Sequence, residues 1–237
     1  MTFQLTEPIL LIGLGGVGAR LAEKAKKSLN SDCLLISHDQ KDLTAENSIK
    51  ISTKSVVNPS THLIRGSTLE TSDEIKKNIA NYSTVILISN LAGKAGAGIG
   101  PIVSRICKQE QKNLLSFTIM PFKFEKERIF QSGIALKRIR QDSQCTIVVD
   151  NDALLDSNPD LTQKQCYDIS NKAIESMMHS LKSSEISEDT NILSTGKATS
   201  DIEVSLKDSL RMLYEDAPPN SIKRSMLYVY GTDNIPV

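Results

Sequence analysis

Tryptophan is absent from the 237 residues, and aromatic residues make up only 4% of the chain. The formal net charge is zero, with 28 basic and 28 acidic residues, so charge gives no indication of a nucleic-acid or anionic-membrane partner. No apolar run reaches the roughly 20 residues that a membrane span needs, and no basic region precedes the first apolar run as in a signal peptide. We therefore expect no nucleic-acid partner and no membrane span.

Cysteine is also sparse, and no C-x-x-C pair is present. The four cysteines, far apart in the sequence, are Cys33, Cys107, Cys145 and Cys166. Three of them lie in or beside apolar runs, which favours reduced core cysteines over zinc ligands or disulfides. We therefore expect a cytoplasmic protein without a metal site built from cysteine. Apolar residues, at 39%, are enough to form a core.

The most informative stretch lies in mid-chain, where a glycine-rich loop separates two apolar runs of strand length, Val85–Ile88 and Leu114–Ile119. The loop glycines are Gly93, Gly96, Gly98 and Gly100. A helix is predicted after the loop, and a strand, glycine turn and helix in this order can present backbone N–H groups and the helix dipole to an anion. The same glycines could simply let a helix pack closely on a strand, so both interpretations stay open.

A second glycine turn, GLGGVG at Gly13–Gly18, follows the apolar run Ile9–Ile12. Apolar spacing predicts a helix over Val17–Leu29, and a strand over Leu34–Ile36 ends shortly before Asp39. A strand, a G-x-G-x-x-G turn, a helix and an acidic residue about twenty positions further on are the components of a dinucleotide-binding unit. This turn therefore favours phosphate binding.

The rest of the chain alternates between predicted helices and strands. We expect a loop at Thr44–Pro59, a strand at His62–Ile64, a turn at Arg65–Thr68, a helix from Ser72, a helix at Glu127–Arg140, a strand at Thr146–Val149, a long helix at Thr162–Lys182, a polar loop at Ser183–Ser200, a helix at Asp201–Tyr214 and an edge strand at Met226–Tyr230. This order predicts an α/β fold with a Rossmann-like, mostly parallel sheet and helices on both faces. We assign residues 1–182 to a nucleotide-binding domain and residues 183–237 to a reduced C-terminal segment.

Five motifs between Ile9 and Leu181 resemble, in order and spacing, those of the tubulin/FtsZ family. They are GLGGVGAR at Gly13–Arg20, AGKAGAG at Ala92–Gly98, PFKFE at Pro121–Glu125, NDALL at Asn151–Leu155, and the pair Tyr167 and Asn171 in the long helix. The resemblance implies the family's GTPase-domain fold, GTP or GDP as the ligand with Mg²⁺ as a candidate companion ion, and self-association or an FtsZ-like partner.

The resemblance also implies which residues contact the nucleotide. The α and β phosphates would lie on Gly15, Gly16, Val17 and Arg20. Backbone N–H groups would reach the outer phosphates from Lys94, Ala95, Gly96 and Ala97. The ribose would lie near Glu125 and Arg128. The base would be hydrogen-bonded by Asn151 and Asn171 and stacked on Tyr167, because an amide offers both donor and acceptor and an aromatic ring offers a flat face.

Two departures from the family pattern count against hydrolysis. Ala95 and Ala97 replace the two threonines of the family signature, and Lys94 replaces its third glycine, so two hydroxyl partners for phosphate or metal-bound water are lost. After the long helix, Ser183–Thr195 has no counterpart of the family's N-x-D-x-x-D loop. We therefore expect guanine-nucleotide binding with weak or absent hydrolysis, and no assigned catalytic residue, in a cell-division or cytoskeletal-type system.

Two alternatives stay open. A Rossmann-type enzyme using NAD or ATP would place Gly13–Gly18 on phosphate and Asp39 on a ribose, but would leave the mid-chain glycine loop unexplained. A nucleotide-free relic of the FtsZ fold would explain Ala95 and Ala97, and would act through its surfaces.

Overall fold

The structure, a computed structural model, describes residues 2–54, 56–183, 186–197, 199 and 201–229. Its strands are β1 (Thr2–Phe3), β2 (Ile9–Leu14), β3 (Asp32–Ser37), β4 (Ser48–Lys50), β5 (Thr84–Asn90), β6 (Asn113–Met120), β7 (Cys145–Asp150), β8 (Ile186–Ser187) and β9 (Asp189–Ile192). Its α-helices are α1 (Gly15–Ala25), α2 (Thr61–Glu70), α3 (Ser72–Ile79), α4 (Lys94–Gln109), α5 (Lys126–Asp142), α6 (Asn151–Ser157), α7 (Gln163–Ser180) and α8 (Ile202–Asp216). Short 3-10 helices cover Gln40–Asp42, Leu181–Ser183 and Pro219–Ser221.

One seven-stranded sheet has the order β4-β3-β2-β5-β6-β7-β9, and its strand pairs are parallel. The chain runs outward from β2 through β3 to β4 and then returns to β5 on the other side of β2. Such a reversal opens a crevice beyond the carboxyl ends of the two strands. β1 and β8 form a separate antiparallel pair. The predicted α/β fold with a mostly parallel sheet is confirmed.

Helices cover both faces of the sheet, because alternate side chains of each strand point in opposite directions. Leu11 and Ile86 pack with residues of α1 and α7 on one face. Leu10 and Ile12 pack with residues of α2, α3 and α4 on the other face. Each such side chain contributes about 1.5–3 kcal/mol when fully buried. The two apolar layers therefore fix where α1 and α4 begin.

The segment predicted as a strand at His62–Ile64 and a turn at Arg65–Thr68 is instead part of helix α2. Ser60 caps this helix, and its Oγ accepts a hydrogen bond from the Leu63 backbone N–H at 3.3 Å. A run of three residues is too short to separate a period of 2 from one of 3.6. The N-cap serine was the available signal for a helix.

Other secondary-structure predictions were wrong where strands are short. β4 lies inside the loop predicted at Thr44–Pro59, and β9 lies inside the loop predicted at Ser183–Ser200. Both are edge strands whose pairing with a neighbour is not visible in a local pattern. At Met226–Tyr230, residues 226–229 have no regular structure, and Tyr230 lies outside the described residues. The domain boundary at residue 182 stays a prediction, although β9 from beyond it joins the sheet.

All four cysteines are free and buried, as expected for reduced core residues. Burial raises the pKa of the Cys33 thiol to about 11 and that of the Cys145 thiol to about 12, which makes both poor nucleophiles. Within the described residues, no helix combines the length and apolar character needed to cross a membrane.

Candidate functional site

Two helix N-termini meet at the crevice between β2 and β5. α1 begins directly after β2, and α4 begins after the short turn that follows β5. Gly15 has a φ of +64°, and a Cβ placed on it would lie 2.9 Å from the Cβ of Ala95. Val17 is partly buried against the core beneath the first turn. The two glycine turns, far apart in sequence, are therefore in direct contact.

These two N-termini are also left open. Neither α1 nor α4 has a side-chain hydrogen bond at its N-cap or an acidic residue in its first turn. Each of the other α-helices of the described residues has at least one of these two features. Open first-turn N–H groups together with the positive end of the helix dipole form an anion-binding arrangement. Both turns can therefore donate to one polyanion.

Close packing explains the glycines of the second turn. The helix begins at Lys94, so three glycines predicted to lie in a loop are inside α4: Gly96, Gly98 and Gly100. A Cβ on Gly96 would collide with the Asn90 carbonyl oxygen, and one on Gly98 would lie 3.0 Å from Ile64 Cγ2. The glycines let α4 start against β5 and α2, which brings its first turn to the crevice.

A carboxylate adjoins the first turn. Ser37, the buried last residue of β3, donates a hydrogen bond from its Oγ to Asp42 Oδ2 at 2.7 Å. A Cβ on Gly16 would lie only 2.7 Å from Asp42 Oδ1, so the glycine leaves room for this carboxylate. Coulomb repulsion would oppose a phosphate at the same place unless a cation lay between them.

Lys94 extends toward the segment that precedes α2, where its Nζ donates a hydrogen bond to Asn58 Oδ1 at 2.6 Å. The half-buried imidazole of His38 lies within electrostatic reach of Asp39, Asp42 and Lys94. Burial lowers the pKa of His38, and its Nδ1 is buried without a hydrogen-bond partner. A phosphate contact by Lys94 stays a prediction, because in this structure the amine is engaged by Asn58.

The other side of α1 faces α7. Lys24 Nζ pairs with Glu175 Oε1 across the two helices at 2.7 Å. α7 ends beside the residues that precede β2, so both helices run toward the amino edge of the sheet. Arg20 and Asn171 lie four residues before Lys24 and Glu175, and therefore at the same level of this helix pair. Arg20 is exposed and has no ion pair among those found in the described residues.

The Asn151 side chain is fully buried at the start of α6. Its Oδ1 accepts a hydrogen bond from Ser170 Oγ at 2.6 Å, and its Nδ2 donates one to the Met120 carbonyl oxygen at 3.4 Å. These bonds connect β6, α6 and α7. The amide is engaged inside the protein, so its contact with a base stays a prediction.

Tyr167 and Asn171 lie one turn apart on α7. The Tyr167 ring meets Phe122 edge-on, with centroids 5.3 Å apart, and burial raises the pKa of the phenol. Phe122 also stacks on the half-exposed Phe124 ring at 5.1 Å. Asn171 Oδ1 is buried without a hydrogen-bond partner, and such an acceptor fits an N–H donor of a ligand.

Glu125 and Arg128 are bonded to each other beside this aromatic group. Arg128 Nη1 donates to Glu125 Oε1 at 2.6 Å, and Glu125 Oε2 accepts a hydrogen bond from the Phe122 backbone N–H at 3.2 Å. The positions predicted for the ribose are therefore adjacent, and both lie within electrostatic reach of Tyr167.

A nucleotide fits the open N-termini and the unpaired Asn171 oxygen, whereas Asp42 fits only a phosphate that carries a cation. In the described part of the chain, no group of three His, Cys, Asp or Glu could hold a metal ion. Mg²⁺ would therefore need phosphate oxygens among its ligands, as it commonly does. The sequence patterns did not indicate Asp42 or Asn58. Asp42 follows β3, which flanks β2, and Asn58 follows β4, the next strand outward, so position at this sheet edge was the available signal.

Comparison with known proteins shows one consistent family. A model described as the GTPase domain of the Tubulin/FtsZ family matches residues 8–159. Cell division protein FtsZ 1 of Halobacterium salinarum is 26% identical over 192 residues, which cover 76% of this chain and 47% of the relative. FtsZ 2 of the same organism is 27% identical over 100 residues, covering 42% of this chain and 25% of the relative. The chain thus spans only a quarter to about half of these relatives.

Solved structures show the same fold. A mutant FtsZ of M. jannaschii has a TM-score of 0.70 at 18% sequence identity, and the match covers 88% of this chain and 71% of that chain. TubZ of Clostridium botulinum phage c-st has a TM-score of 0.62 at 16% identity, covering 86% of this chain and 74% of that chain.

Proposed function

The chain belongs to the tubulin/FtsZ family, matching its GTPase domain, and from this membership we propose that it binds GTP or GDP between β2 and β5. We also propose that hydrolysis is weak or absent. The protein would act in a cytoplasmic cell-division or cytoskeletal-type system, through self-association or an FtsZ-like partner.

The observation that carries this proposal is the contact between two open helix N-termini. α1 and α4 start side by side and lack both a side-chain cap and an acidic first-turn residue. A polyphosphate reaching from Gly16 to Ala95 would accept hydrogen bonds from backbone N–H groups of both turns. Anionic ligands gain both hydrogen bonds and dipole stabilisation at such sites.

The preference for guanine rests on the other end of the crevice. Guanine presents two adjacent N–H donors, at N1 and N2, whereas adenine has an acceptor at N1 and a donor only at its N6 amino group. The unpaired Asn171 Oδ1 requires a donor, and Tyr167 one turn away offers an aromatic surface.

Weak hydrolysis follows from missing side chains. Ala95 and Ala97 offer no hydroxyl to a phosphate or to a metal-bound water. Without a positioned water and a group to orient it, the placement and electrostatic contributions to catalysis shrink. We expect phosphate release to stay near background even when protein concentration is raised tenfold. Release that rises steeply with concentration would contradict this.

A second candidate function, binding of a protein partner by a nucleotide-free relic, is favoured by two observations. The Asp42 carboxylate lies against Gly16, where a phosphate would otherwise approach. The Asn151 amide is already bonded to Ser170 and Met120. Both would act against a nucleotide, so the two candidates differ in whether the crevice takes a ligand at all.

Titration calorimetry of the purified chain with GDP and GTP, each with Mg²⁺ and with EDTA, tests the proposal. We expect binding at micromolar to tens-of-micromolar concentrations, with ATP and NAD failing to compete. No heat with either guanine nucleotide at hundred-micromolar levels would exclude the first candidate and leave the relic. Equal or tighter binding of ATP or NAD would instead support a Rossmann-type enzyme.

A further inference from the structure

Helix α4 lacks one of its own hydrogen bonds next to the crevice. Pro101 lies inside this helix. Proline has no N–H group, so the carbonyl of Ala97, four residues earlier, has no helical donor there. Ala97 belongs to the first turn, which faces the crevice. A free carbonyl at this place would cost stability if it stayed unpaired in the protein interior.

Arg65 of α2 takes the place of the missing donor. Its Nη2 donates a hydrogen bond to the Ala97 carbonyl oxygen at 3.2 Å. α2 contacts α4 again one residue further on, at Gly98, where an added Cβ would lie 3.1 Å from the Thr61 carbonyl oxygen. The first two turns of α4 therefore rest on α2 through this bond and through direct backbone packing.

The surroundings of Arg65 do not otherwise favour a guanidinium. Burial lowers the pKa of Arg65, and the positive charge of Arg138 lowers it further. Its Nε is buried without a hydrogen-bond partner. Arg65 forms no ion pair among the bridges found in the described residues. The bond to Ala97 is thus the polar contact that offsets an unfavourable position for this charge.

We propose that Arg65 is a positioning residue that replaces the helical hydrogen bond absent at Pro101. It holds the first turn of α4 in the alignment that a phosphate requires. The inference rests on the proposed nucleotide function for its link to a ligand, but the bond itself can be tested without one.

The test is a thermodynamic cycle of four proteins: wild type, Arg65→Gln, Pro101→Ala and the double variant. Arg65→Gln removes a charge-assisted hydrogen bond, and such bonds contribute more than neutral ones. We therefore expect GDP binding to weaken by about tenfold and the unfolding temperature to fall. Pro101→Ala alone should change affinity by less than about twofold. In the Arg65→Gln protein the same change restores a backbone donor to Ala97, so the double variant should return to within about threefold of wild type.

Two controls separate this role from general damage. Arg105→Gln removes the same charge from the exposed side of α4 and should leave both readouts unchanged. Arg65→Lys keeps a donor and should recover part of the loss, which also covers the case in which Arg65→Gln does not fold.

The unfolding temperatures, measured without nucleotide, test whether Arg65 replaces the helical hydrogen bond that Pro101 lacks. If Pro101→Ala fails to rescue Arg65→Gln in them, the inference is overturned. If rescue is seen in unfolding but wild type binds no guanine nucleotide, the proposed function fails while the Arg65–Ala97 replacement stands. If wild type binds and Arg65→Gln binds equally well, the positioning role is wrong.

Discussion

The two ends of the crevice are built from different parts of the chain. At the proposed phosphate end, the contacts would come from backbone N–H groups of α1 and α4, and the side chains there contribute mainly by leaving space for the ligand. At the base end, the proposed contacts are side chains, and most are already bonded within the protein, as Asn151 is to Ser170 and Arg128 is to Glu125. The first end depends on where helices start, and the second on individual residue identities.

This difference separates the consequences of mutation. A backbone site persists as long as the two helices keep their places, so it tolerates exchanges such as threonine to Ala95 or Ala97. A side-chain site changes its preference with one substitution. We therefore expect variants at the phosphate end to alter binding of every nucleotide, and variants at the base end to alter the choice of base or the stability of the fold.

The largest effect is expected for Gly15→Ala. The φ of +64° disfavours a side chain, and the new Cβ would lie 2.9 Å from the Ala95 Cβ, pushing the two turns apart. We expect GDP and GTP affinity to fall by at least about thirtyfold, with the unfolding temperature lowered. Adding Ala95→Gly removes the contact but not the backbone strain, so affinity should recover only in part.

Gly66→Ala is the matched control, because nothing lies within 4 Å of a Cβ at this position of α2. It should stabilise the protein slightly through its helix propensity. If Gly15→Ala bound nucleotide as tightly as Gly66→Ala, the converging turns would not be the phosphate site.

The next comparison is between two asparagines at the base end. Asn151→Ala leaves the buried Ser170 hydroxyl and the Met120 carbonyl without this amide, so chemical denaturation should show a loss of about 2–3 kcal/mol in the free energy of unfolding. Asn171→Ala removes an unpaired oxygen and should cost less than about 0.5 kcal/mol, while lowering the preference for GDP over ADP. If Asn171→Ala instead destabilised the fold and Asn151→Ala changed the base preference, then Asn171 would be the structural residue and Asn151 the base contact.

Asp42→Asn should change how GDP binding depends on Mg²⁺, and its effect on affinity should be smaller than that of Gly15→Ala. The wild-type carboxylate beside Gly16 would repel a phosphate bound there, and a divalent cation between the two would remove that repulsion. We expect the variant to bind GDP about fivefold more tightly than wild type in EDTA and nearly equally in Mg²⁺. Ser37 Oγ can still donate to the amide oxygen, so the local fold is kept. An identical response to EDTA in both proteins would contradict this role.

How much the sequence could predict follows the same division between backbone and side chains. The central strands, most of the long helices and both glycine turns are local patterns, whereas α2 and the edge strands β4 and β9 were missed. The adjacency of β2 and β5 makes the two turns converge. Asp42 and Arg65 were not predicted as site residues, because each reaches the site through a residue that is distant in sequence, Gly16 for Asp42 and Ala97 for Arg65. Arg65 lay in a predicted turn, and only its place on α2 brings it to Ala97. The engagement of Asn151 by Ser170 likewise appears only once α6 and α7 pack together.

The smallest effect is a pH dependence confined to the base end. Asp216, at the end of α8, is hydrogen-bonded to Asp150, the residue before Asn151. Burial and then the charge of Asp150 raise the pKa of Asp216 to about 7, with Asp152 raising it slightly and Lys123 opposing.

Because the pKa of Asp216 is raised from its ordinary value of 3.8, the folded protein binds this proton more tightly than the unfolded chain does. The stabilisation of α8 by this pair is therefore complete below about pH 4 and is lost as pH rises through about 7. Because Asp216 meets solvent over much of its surface, the loss should be below about 1 kcal/mol. Asp216→Asn keeps the bond without titrating, so proteolysis of α8 should become independent of pH between 5 and 8. Glu215→Gln removes a neighbouring exposed carboxylate and should leave the wild-type pH dependence intact. If proteolysis of the wild-type protein did not change with pH between 5 and 8, the proposed contribution of the Asp150–Asp216 pair would be wrong.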